Sequence, residues 1–75
     1  MNPADKMADA APERLLKMRE VVDRTSLSRS KLYDMMRVGK FPPPVHLVGR
    51  RTAWPESEVN RWIIEKVNAS RSSNS

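Results

Sequence analysis

Apolar residues along this chain recur at helical spacing in three places and at strand spacing in two. Met18, Val21 and Val22 stand at i, i+3 and i+4, which predicts a helix over residues 18–24. Leu32, Met35 and Met36 repeat the pattern and predict a second helix over residues 28–38. Thr25, Ser26, Leu27 and Ser28 join the two, rich in turn and cap formers. The Ser28 hydroxyl is placed to accept a free N–H of the next helix. Two short helices joined this tightly read as a helix-turn-helix. The third stripe, Val59, Trp62, Ile63 and Val67, predicts a helix over residues 55–68, with Pro55 at its first position and Glu56 and Glu58 at its positive end. Residues 45–48 and 51–54 are β-prone, and Gly49-Arg50 between them suits a glycine-led type II′ turn. Leu15 and Leu16 fit a short strand or an extended lead-in. Gly39 is expected to end the second helix at φ > 0. Phe41 should plug the core, and Pro42, Pro43 and Pro44 form a stiff spacer without N–H donors.

The second helix has a polar side worth reading. At 100° per residue, an inward Leu32, Met35 and Met36 leave Ser30, Asp34 and Arg37 outward, with Tyr33 beside them and Arg29 and Lys31 on the flanks. Arginine matches guanine O6 and N7, serine suits several base edges, and a helix N-terminus suits a phosphate. An ordinary solvated face would look similar, so charge has to decide. The chain of 75 residues carries a net charge of +5. Between residues 28 and 51 lie Arg29, Lys31, Arg37, Lys40, Arg50 and Arg51 against the single acid Asp34, and the rest of the chain carries eight basic and eight acidic residues. The whole excess therefore sits in the middle third, the footprint of a polyanion binder. Arg50 and Arg51 fall at the hairpin tip, where they can grip phosphates or enter a minor groove. The candidate DNA-binding residues are Ser28, Arg29, Ser30, Lys31, Tyr33, Arg37, Lys40, Arg50 and Arg51.

Other chemistry is absent. There is no cysteine and one histidine, His46, so no metal centre and no cofactor are expected. No Gly-rich phosphate loop and no nucleophile–base pair appears, and an enzyme is not expected. No apolar run reaches the roughly 18–20 residues of a membrane span, and the N-terminus lacks a signal-peptide core, so the expected place is the cytoplasm. Residues 13–69 should form one domain, with about a dozen inward side chains worth roughly 1.5–3 kcal/mol each. Residues 1–12 and 70–75 read as disordered tails. Ile64 lies off the apolar face of the third helix, as scatter or as a contact for a second protomer. With the triple proline, it motivates an alternative reading: a protein-interaction adaptor or antirepressor that presents its basic face to an acidic partner.

Three strings make the pattern specific: LSRSKLY at residues 27–33, GKFPPPVHL at 39–47 and RRTAWPESEV at 50–59, followed by Trp62. In combination they resemble the AlpA family of prophage regulatory proteins. The resemblance implies a mainly α winged helix-turn-helix of three helices and a two-stranded wing, related to MerR and excisionase DNA-binding domains. It implies a regulator of a prophage or integrative element, acting on transcription or as a recombination directionality factor, with double-stranded DNA as partner. Integrase and RNA polymerase are the protein partners to consider. Carried over by position, the recognition-helix contacts fall on Arg29, Ser30, Lys31, Tyr33 and Arg37, and the wing contacts on Arg50 and Arg51. A domain this small has limited affinity alone, which favours cooperative self-association on DNA. Ser26 departs from the family, which commonly has glycine there. If that position needs φ > 0, Ser26 is strained.

Overall fold

The computed structural model describes residues 13–73, so the expected N-terminal tail and the last two residues lie outside it. The elements run β1 (Leu15–Leu16), α1 (Met18–Thr25), α2 (Arg29–Arg37), β2 (Val45–Val48), β3 (Arg51–Pro55) and α3 (Glu56–Ser73). Three helices and an antiparallel hairpin, the elements periodicity predicted, make the mainly α winged helix-turn-helix that the resemblance implies. The lead-in is a true strand: β3 is central, in the order β1-β3-β2, and both of its neighbours run antiparallel to it. Leu15 faces Pro55 and Leu16 faces Trp54. The period of two then buries Leu16 completely and leaves Leu15 exposed.

One core joins all three helices and the sheet. Leu16, Val21, Leu32, Phe41, Trp54 and Val59 are buried, with Met18, Val22, Leu27, Met35, Met36, Trp62 and Ile63 packed around them. The apolar stripe of α3 outlasts this core: Val67, expected inward, is 39% exposed, and Ile64 is 58% exposed.

Two boundaries depart from expectation. Pro55 closes β3 rather than opening α3, because its pairing with Leu15 extends the strand. At the other end α3 runs to Ser73, past the expected stop at Asn68. No glycine or proline interrupts residues 56–73, so nothing in the side chains forces an end. The start of α3 is held from far away in sequence. The Glu56 N–H donates to the Arg14 carbonyl at 2.7 Å. The Ser57 N–H and hydroxyl donate to the two carboxylate oxygens of Glu13 at 3.1 and 2.7 Å. These bonds favour the charged carboxylate and lower the Glu13 pKa.

Candidate nucleic-acid interface

The rotation of α2 is fixed by what it buries. Leu32 is fully buried, and Met35 and Met36 are half-buried against the core. Arg29, Ser30, Lys31, Tyr33, Asp34 and Arg37 are exposed. Ser28 is the N-cap, its hydroxyl accepting the Lys31 N–H at 3.1 Å, so this hydroxyl is already engaged in holding the helix start. The far end closes as a Schellman motif. Gly39 takes φ +76°. Its N–H reaches the Met36 carbonyl at 3.2 Å, and the Lys40 N–H reaches that of Met35 at 2.7 Å.

The turn before α2 is one residue shorter than expected. Thr25 stays in α1, where its hydroxyl donates to the Val21 carbonyl at 2.8 Å and accepts the Leu27 N–H at 3.3 Å. Ser26 then ends α1 in the left-handed region at φ +62°, its N–H donating to the Val22 carbonyl at 2.9 Å. The helix pair is tied to α3 through Arg24, which donates to the Asn60 side chain at 3.2 Å and pairs with Glu56 at 2.6 Å.

Residues 40–44 connect α2 to the hairpin under restraint. Phe41 is buried and meets Trp62 edge to face, ring centroids 5.0 Å apart. The Trp62 indole N–H donates to the Lys40 carbonyl at 2.8 Å, and that of Trp54 to the Pro42 carbonyl at 3.0 Å. Both tryptophans thus satisfy carbonyls of a segment whose prolines cannot donate. In the hairpin, His46 faces Thr52 and Val48 faces Arg51, with an irregularity between them that leaves Leu47 as an extra residue. Gly49 takes φ +56° and Arg50 is not among the positive-φ residues, the sign pattern of the expected glycine-led turn.

Three of the basic residues are ion-paired. The ion pairs among the described residues are Arg14–Glu20 at 3.7 Å, Arg24–Glu56 at 2.6 Å and Arg37–Asp34 at 3.2 Å. Arg29, Lys31, Lys40, Arg50 and Arg51 are exposed, and none has a carboxylate partner among the described residues. Six of the sequence-predicted residues share α2 or its cap, and Lys40 follows just beyond it. Arg50 and Arg51 stand apart, at the hairpin turn and the first residue of β3. No hydrogen bond or ion pair among the described residues ties those two to α2.

Two further cations, outside the set expected from sequence, stand beside that set. Lys17 and Arg19 line a shallow concavity with Met18, Glu20 and Arg29. In sequence they are hidden among Glu13, Glu20 and Asp23. Folding engages the Glu20 carboxylate with Arg14 and the Lys17 N–H, leaving the two cations beside Arg29. Among the described residues no three His, Cys, Asp or Glu side chains are placed to hold a metal, and no helix is long and apolar enough to cross a membrane.

Comparison with known proteins agrees with the motifs. Residues 14–67 match the family model described as prophage CP4-57 regulatory protein (AlpA). An uncharacterised protein of Enterobacteria phage P4, ORF88, is 39% identical over 67 residues, which is 89% of this chain and 76% of that protein. No solved structure matches the chain.

Proposed function

The chain belongs to the AlpA family of prophage regulatory proteins, and from that membership we propose that it is a sequence-specific duplex-DNA binder regulating a prophage or integrative element. Helix α2 lies in the major groove, and the hairpin tip at residues 49–51 contacts the backbone or the adjacent minor groove. The observation that carries this reading is that five exposed cations, Arg29, Lys31, Lys40, Arg50 and Arg51, fall within residues 28–51 and have no carboxylate partner among the described residues. Cations concentrated in one segment attract phosphates, and do so more strongly where no carboxylate offsets them. Transcriptional control and recombination directionality use the same face. Integrase, RNA polymerase or an adjacent second copy are the protein partners this reading admits.

The test is an electrophoretic shift in the presence of competitor DNA, repeated across salt. Neutralising four to six phosphates gives log K a slope of about −4 to −5 against log salt. A slope near zero sinks the reading. The second reading, an adaptor or antirepressor, draws support from the groove of about 790 Å³ that includes Met36, Phe41, Pro42, Pro43 and Trp62. Absence of any shift at micromolar protein would promote it.

A further inference from the structure

Asp34 is the single acid between residues 28 and 51, amid six basic residues. It lies on the exposed side of α2, where a polyanion would approach. Its carboxylate oxygen Oδ1 is 3.2 Å from Nη1 of Arg37, one turn later, and the two side chains remain 60% and 73% exposed. Fold stability does not account for it. Exposed pairs at this spacing contribute little, and an acid in the C-terminal half of a helix meets an unfavourable dipole. Lys31 stands three residues away on the other side, yet the pair is made with Arg37.

We propose that Asp34 is a positioning residue for base recognition: it holds the Arg37 guanidinium for a guanine edge and weakens binding to DNA lacking that guanine. The inference rests on the DNA-binding reading above. Arginine has a long, rotamer-rich stem, and a stem held in advance loses less freedom on binding. The contact with Asp34 takes one of five N–H donors, leaving enough for the two bonds to guanine O6 and N7. The same carboxylate repels phosphates, a penalty that applies to every sequence. The gain applies only where the guanine is present. Specificity is a difference of affinities, so both effects raise it.

The test uses the full chain. Binding sites are selected from random duplexes, and affinities are then measured across salt for three DNAs: the selected site, the same site with one guanine pair replaced, and an unrelated duplex. The proteins are wild type, Asp34→Asn, Asp34→Ala, Arg37→Ala and Asp34→Ala/Arg37→Ala. Loss of Asp34 should tighten binding to the unrelated duplex several-fold, with a salt slope steeper by up to about 0.9. Discrimination at one guanine pair should fall roughly 5- to 10-fold, part of what a bidentate contact supplies. Arg37→Ala should abolish discrimination at that same pair, and the double variant should discriminate no worse. The proposal is overturned if Asp34→Ala keeps its discrimination, or loses it at a pair that Arg37→Ala leaves alone. Wild type that binds all three DNAs alike, or none, overturns the DNA-binding reading itself.

Discussion

Ser26 holds φ at +62°, a region that L-residues with a side chain enter at a cost of roughly 1–2 kcal/mol. The backbone there is imposed by its surroundings: α1 ends, its last N–H contacts are made, and Ser28 must begin α2. Glycine would remove the strain but add freedom to the unfolded chain. Ser26→Gly should therefore stabilise by about 0.5–1 kcal/mol, a rise of a few degrees in Tm. An unchanged or lower melting temperature would show that the site is not strained. This position was legible because the resemblance implies a glycine there, where this chain has serine. The outward set Ser30, Tyr33, Asp34 and Arg37 was legible for a different reason: Leu32, Met35 and Met36 leave no other rotation for the helix.

Among the elements, α3 shows what periodicity leaves out. Its apolar stripe announced a helix, and the stripe did not reveal that Glu13, 44 residues from Ser57, caps it. A contact of that span has no local signal, because Glu13 reaches Ser57 only once β1 has paired with β3. Its pKa is lower in the folded chain, so its stabilising effect is full above the unfolded pKa and fades as pH falls through the folded one. Between about pH 6 and pH 3, wild type should lose more melting temperature than Glu13→Gln, whose amide does not titrate there. Equal losses in thermal melts would mean that the cap contributes nothing. The same blindness explains Pro55. A proline before two glutamates is a good helix start by local rules, and only the partner strand reassigns it.

Across the molecule, the charge map read from sequence and the charge map after folding differ in an instructive way. The middle third supplied the net excess, but folding also places Lys17 and Arg19 next to Arg29. The hairpin arginines and the α2 face differ in the chemistry they can offer. Arg50→Ala/Arg51→Ala should weaken binding to all sequences alike and make the salt slope shallower by about 2. Ser30→Ala should relax sequence preference and leave the slope unchanged. Affinities on a selected site and an unrelated duplex distinguish these, and equal losses from both variants would contradict the assigned division. The two indole N–H groups of the chain, those of Trp54 and Trp62, donate to carbonyls of the short link between α2 and the hairpin. The intrinsic ultraviolet emission of the protein is therefore a built-in optical gauge of that link. A spectral change on adding a ligand would signal a change at the link that joins the two halves of the candidate interface, without any dye attached.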